Sequence, residues 1–142
     1  MITAQDLFRL AARLAAASSA DEAQLRAAIS RAYYSAFHLA KEYLASLGAK
    51  LGNNDGEVQR FLLECGHPRA QIAGRRLTDL HSFRIKADYD LRASSVGTPG
   101  VARQCVELAN DIDAVLKELN AAADRQQIKS GIEAYRRKIG RT

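Results

Sequence analysis

The sequence predicts an all-α fold, an antiparallel up-and-down bundle of four to five helices. Three observations carry that prediction. Only two prolines and almost no β-branched runs interrupt 142 residues. Ala, Leu, Arg and Glu, which lose little freedom on entering a helix, dominate the composition. In each long segment apolar residues recur at steps of three and four, so each would form a helix with one apolar stripe. Stripes of that kind leave water only by facing one another, which makes a bundle.

The first helix opens at Thr3, whose hydroxyl can cap while Asp6 sits three residues on, and its row runs Leu7, Leu10, Leu14 before ending near Ser18. The second begins at about Asp21 and reads Leu25, Ile29, Ala32, Ala36, Ala40, Tyr43, Leu47, a span of about 40 Å at ~1.5 Å per residue. Gly48, Gly52, Asn53, Asn54 and Gly56 make a loop, because Gly and Asn tolerate the positive φ that ends a helix. A short helix, Glu57 to Glu64, follows. Gly66 and His67 break the chain, and Pro68 suits the first position of the next helix, about Arg69 to Leu91. Its row is Ala73, Leu77, Leu80, Arg84, Ala87, Leu91, in which Arg84 is the odd member. Ser94 to Gly100 is a flexible connection; Thr98 caps and Pro99 opens a helix with the row Val101, Cys105, Leu108, Ile112, Val115, Leu119. A weaker row, Ile128, Ile132, Tyr135, Ile139, predicts a short basic C-terminal helix.

The length suits one domain. Residues 1–123 are read as the bundle and 124–142 as a basic C-terminal helix or tail. The formal charge is +5, and from Asp124 onward six cationic side chains face two carboxylates, a net of +4. Such a tail can steer phosphate, although charge runs more often serve solubility. No apolar stretch is long enough to cross a bilayer, and Asp6 and Arg9 break the plan of a secretory signal, so the cytosol is the expected compartment. Cys65 and Cys105 form no CxxC pair and have no His or Cys at zinc-ligand spacing. They read as reduced, buried apolar residues, and no metal or cofactor is expected.

Two segments depart from ordinary bundle sequence. In Arg31-Ala-Tyr-Tyr-Ser-Ala-Phe-His38, Arg31 and His38 lie close to one helical stripe with Tyr34 and Ser35 between them. On spacing alone the favoured reading is plain packing of Tyr33, Tyr34 and Phe37, with His38 satisfying a neighbour. In the second segment His81, Arg84 and Asp88 share one face, and Asp88 can reach back to Arg84 as an i, i+4 pair. An Arg in an apolar row is costly to bury unless an anion meets it. Two readings stand level: an Arg84–Asp88 pair that fixes register with Tyr89 covering it, or an Arg that grips phosphate at a cleft or dimer seam.

The run Ala27-Ala-Ile-Ser-Arg-Ala-Tyr-Tyr-Ser-Ala-Phe-His-Leu-Ala-Lys41, followed by Arg84-Ile-Lys-Ala-Asp-Tyr89, resembles the HEPN superfamily, in its prokaryotic branch with a Tyr-rich helix and an R-x-x-A-D-Y ending. The resemblance covers roughly Ala4 to Leu119. It implies an antiparallel helical bundle, a homodimer, and a nucleotidyltransferase antitoxin as partner. Many members are metal-independent ribonucleases with an R-x(4–6)-H motif, in which Arg grips phosphate and His acts as base on the 2′-hydroxyl. Here Arg31 with His38, Arg60 with His67 and Arg76 with His81 all fit that spacing, but with fifteen arginines such hits arise by chance. At the family's usual catalytic Arg stands Arg84, with Asp88, Tyr89 and Asp90 where a His belongs.

That departure favours a module that binds RNA or a phosphate-containing nucleotide through Arg31, Tyr34, His38, Arg84, Asp88 and Tyr89, within a toxin–antitoxin or related defence or regulatory system. The alternatives are a metal-independent toxin endoribonuclease using Arg84 or Arg76 with His81, and a structural protein that docks its helices on a partner. A homodimer is expected also because the Tyr-rich face of the second helix offers more aromatic surface than a four-helix core needs.

Overall fold

A computed structural model describes residues 1–52 and 54–140. The sequence readings of Asn53 as loop and of Arg141 as part of the basic tail fall outside the described residues. Six helices follow in order: α1 (Ala4–Ala16), α2 (Glu22–Ser46), α3 (Asp55–Glu64), α4 (Pro68–Tyr89), α5 (Pro99–Glu118) and α6 (Ala122–Lys138). The described residues contain no strand. The start signals work as the residue types dictate. Thr3 and Asp6 form a reciprocal capping box, as do Asp21 and Gln24. Thr98 caps α5 ahead of Pro99, and His67 accepts the Arg69 N–H at 3.1 Å through Nδ1 to cap α4 ahead of Pro68. Gly48 and Gly66, which follow α2 and α3, take the positive φ that favours glycine.

Helices α1, α2, α4 and α5 form the up-and-down bundle. Arg26 meets the residues around Asp90, Ser30 meets Asp88, and Tyr34 meets Arg84, so α2 and α4 run antiparallel. Arg69 pairs with Glu118, which sets α5 antiparallel to α4. The shorter α3 packs on α4, and α6 packs on α3 at the end of the bundle.

Central helix α2 is buried on most of its circumference, with Leu25, Ile29, Ala32, Ala36 and Ala40 on one row and Tyr33, Phe37 and Leu44 on another. The α5 row is likewise the core at Cys105, Ile112, Val115 and Leu119. Helix α1 differs from the expected row. Its fully buried residues are Ala4, Ala11 and Ala15, while Leu7, Leu10 and Leu14 are only half-buried. The reason is steric: alanines let α1 approach α2 closely, and Ser35 Oγ donates to Ala4 O at 2.9 Å across that contact. Helix α4 stops at Tyr89, so Leu91, expected as the last member of its row, is outside the helix and 77% exposed.

Helix α6 has seventeen residues and buries Ile128 and Ile132. It also brings Asp124 Oδ1 to 2.9 Å from His67 Nε2 and sets Tyr135 edge-on to Phe61 at 5.6 Å. Gly131 is the point of closest approach. A Cβ there would overlap the Cys65 carbonyl oxygen and lie 2.6 Å from its carbonyl carbon. Cys65 and Cys105 are buried and free. No helix among the described residues is long and apolar enough to cross a membrane.

Candidate functional site

Antiparallel pairing of α2 with α4 brings the two unusual segments face to face. At their centre is Arg84, 7% exposed. Its guanidinium carbon lies 5.4 Å from the Tyr33 ring, 5.1 Å from the Tyr34 ring and 5.8 Å from the Tyr89 ring. Aromatic faces carry negative quadrupole charge, so this cup offsets part of the cost of taking a cation out of water. Arg84 Nη2 donates to the Tyr34 hydroxyl, and Nε lies 3.6 Å from Asp88 Oδ2. Burial works against the charged form, but the Tyr34 hydroxyl, Asp88 and Tyr89 outweigh it and raise the Arg84 pKa above its ordinary value. The side chain is a permanent cation in a low-dielectric seam.

Around it the rim is polar. Ser30 Oγ donates to Asp88 Oδ2 at 3.2 Å, and Arg31 Nη2 reaches Ser30 Oγ at 3.3 Å. Arg31 also lies over the Tyr34 ring at 5.6 Å, so two guanidinium groups share one phenol ring. The half-buried His81 has its ring 5.3 Å from Tyr33, one helical turn from Arg84. His38 is exposed on the next turn of α2, its ring 6.4 Å from Tyr34. Tyr89 is 73% exposed, so it touches Arg84 from the solvent side without covering it. Of the residues singled out from sequence, Arg31, Tyr34, Arg84, Asp88, Tyr89 and His81 are thus gathered, and His38 stands at the edge.

The aromatic surface offered as a reason for a dimer is largely used inside the chain. Tyr33 and Phe37 are buried against the core, with rings 5.8 Å apart. The exposed large apolar groups near the site are instead Ile85, Tyr89 and Leu91, at the end of α4.

Arg26 is the residue that sequence reasoning missed. It is buried and donates through Nη1 to the carbonyls of Ala87 and Asp90 at 3.0 Å, and through Nη2 to Ala93 O at 3.0 Å. Ala87 O lies in the last turn of α4, where carbonyls run out of helical donors, while Asp90 O and Ala93 O also accept from Ala93 N and Val96 N; a cation there opposes the negative end of the helix dipole. Arg26 thereby ends α4 and holds the Asp88–Tyr89 turn against α2. The available signal was the spacing Arg26, Ser30, Tyr33, Phe37, a second row on α2 beginning with a cation.

A family model described as HEPN domain matches residues 5–119, most of the chain and all of this site. No curated protein and no solved structure matches.

Proposed function

The chain belongs to the HEPN domain family, and on that premise we propose that the Arg84 cluster binds the phosphate of RNA or of a nucleotide. One observation carries the reading: Arg84 and Arg31 lie over the same tyrosine ring, at 5.1 and 5.6 Å, while Asp88 meets Arg84 Nε at 3.6 Å and also accepts from Ser30. Two guanidinium groups drawn to one phenol ring concentrate positive charge at the seam, and a planar guanidinium offers a fork of donors that suits a phosphate oxygen pair. Tyr34 holds the Arg84 fork in position, and the exposed Tyr89 ring offers a face on which a base can stack. The domain would act as a homodimer through the exposed Ile85 and Leu91 beside the site, with a nucleotidyltransferase antitoxin as partner, in a toxin–antitoxin or related defence system.

A second reading, the metal-independent endoribonuclease, is favoured by one specific feature. His81 and Arg84 flank the same Tyr33 ring, at 5.3 and 5.4 Å, so an imidazole stands beside the phosphate-binding cation. In that case His81 would take the 2′-hydroxyl proton while Arg84 stabilises charge on the phosphoryl oxygens.

The test is fluorescence anisotropy with labelled single-stranded RNA across a salt series, run beside a cleavage assay in excess chelator. Salt-sensitive binding that falls about tenfold or more in Arg31→Ala and Arg84→Lys, without cleavage, supports the binding module. Cleavage lost in both Arg84→Lys and His81→Ala supports the nuclease. RNA affinity equal in wild type and both arginine variants, with no cleavage, overturns both.

A further inference from the structure

A separate feature lies at the opposite end of α2. There the last turns of α2 and α5 meet the first turn of α6 around a groove of about 610 Å³. Its polar lining is Ser46, Asn120, Arg125, Gln126 and Lys129, and none of the residues lining it is a carboxylate. We infer that this groove is a second phosphate-binding site, independent of Arg84.

Three observations converge on that assignment. First, the cation on its floor is fixed in place. Arg125 donates from Nη1 to Ser46 Oγ at 3.2 Å and Asn120 Oδ1 at 3.3 Å, and from Nη2 to Ser46 O at 3.3 Å. It also lies 5.8 Å from the Tyr43 ring. Ordering such a side chain costs entropy, and here that cost is met before any ligand arrives.

Second, the exposed Lys129 follows Arg125 by four residues, on the same face of α6. Like charges at that spacing repel by a few tenths of a kcal/mol, which an anion between them would relieve. Asp124, the acidic residue nearest in sequence, directs Oδ1 to His67 Nε2 at 2.9 Å.

Third, α6 begins at Ala122 with no side-chain cap, and Ala122 lines the groove. The N–H groups of its first turn therefore join the cations as donors at the positive end of the helix dipole.

A rival account is that these cations only neutralise the two helix ends. Arg125 does meet Ser46 O, but the other end carbonyls have partners that do not line the groove: Arg136 on Gly48 O at 3.4 Å and Tyr43 Oη on Leu119 O at 2.7 Å. Lys129 is not used in any of these contacts. Helix α6, which supplies Arg125 and Lys129, lies beyond residue 119, outside the span matched by the family model.

The experiment titrates the full chain with inorganic phosphate and with pyrophosphate at low salt, following backbone amide shifts by NMR, and repeats the titration in Lys129→Glu and Arg84→Lys. The inference expects shifts at Ala122, Ala123 and Asp124, affinity reduced about tenfold by Lys129→Glu, and shifts of those amides unaltered by Arg84→Lys. A parallel titration with a short single-stranded RNA identifies the source of the phosphate. If Lys129→Glu weakens both probes, the groove takes a nucleic-acid backbone; if pyrophosphate alone, a small free anion. Silent α6 amides at millimolar anion, or equal affinity in wild type and Lys129→Glu, would overturn the inference and leave the cations to the helix ends.

Discussion

Replacing Gly131 by alanine gives a sharp test of how α6 is held. In an isolated helix this change is favourable, since alanine is preferred over glycine by about 1 kcal/mol. Here the new methyl would meet backbone, not a side chain that can rotate away: the Cys65 carbonyl carbon at 2.6 Å and Cα at 3.0 Å. Cys65 is fixed at the end of α3, directly before the turn at Gly66 and the His67 cap of α4. Relief therefore requires α6 to move outward. Overpacking of this kind costs about 1–3 kcal/mol. If the helix detaches altogether, Ile128 and Ile132 lose burial worth about 1.5–3 kcal/mol each. Set against the helix-propensity gain, the net expectation is a loss of about 2 kcal/mol if α6 only shifts, at the upper end of overpacking because backbone is met, and about 2–5 kcal/mol if it detaches. For a chain of this size that lowers Tm by roughly 5–15 °C. Thermal and urea unfolding followed by circular dichroism measures it. Gly100→Ala is the control, because nothing lies within 4 Å of a Cβ there, and it should be neutral or stabilising by up to about 1 kcal/mol. A Gly131→Ala protein as stable as wild type would refute the close docking of α6.

Other consequences follow from buried polar groups. Arg26→Met removes the donors to Ala87 O, Asp90 O and Ala93 O. Ala87 O is the buried member while the others can recruit water, so the expected loss is about 2–4 kcal/mol. Arg26→Lys should recover less than half of it, because one ammonium cannot fork across the turn; a melting curve for Arg26→Met matching wild type would contradict this role. Burial pushes both the Tyr43 phenol and the Cys105 thiol up to about 12. Each folded-state value lies above its ordinary one, so the associated stability is intact below the ordinary values of 9.0 for the thiol and 10.0 for the phenol, and is lost as pH rises toward 12. Urea midpoints should accordingly fall from mildly to strongly alkaline pH, with Tyr43 ionising late in ultraviolet absorbance; a flat midpoint across that window would contradict the burial argument.

How much of this was legible in the sequence depends on which force decided each feature. The row of α2 could be read directly from apolar steps of three and four, and so could most of the α5 row, where Cys105, Ile112, Val115 and Leu119 are buried but Ala102 and Ala109 take the places expected for Val101 and Leu108. In α1 the same rule pointed to leucines, whereas the buried face belongs to Ala4, Ala11 and Ala15. Close helix approach selects for small volume, and a hydrophobic pattern is blind to that. Arg84 stood out as a charge inside an apolar row, and the seam confirms its placement. Arg26 is as deeply placed but sits beside the Leu25–Ile29 row, heading the second row with Ser30, Tyr33 and Phe37; that spacing marks it as inward-facing, but its partners, more than sixty residues away in sequence, cannot be read from it. The docking of α6 was hidden for the same reason: Gly131 and His67 acquire meaning only once Cys65 and Asp124 are brought to them in space.

The central claim is that the Arg84 and Arg31 cations concentrate positive charge that an external phosphate meets, with Asp88 as its competitor. Asp88→Asn tests this with little disturbance, since the amide keeps the shape of the side chain and its capacity to bond Ser30. Removing a partly exposed carboxylate 3.6 Å from Arg84 should tighten binding of a short single-stranded RNA about three- to tenfold, on the order of 1 kcal/mol. Unchanged or weaker affinity for RNA in Asp88→Asn would contradict the account.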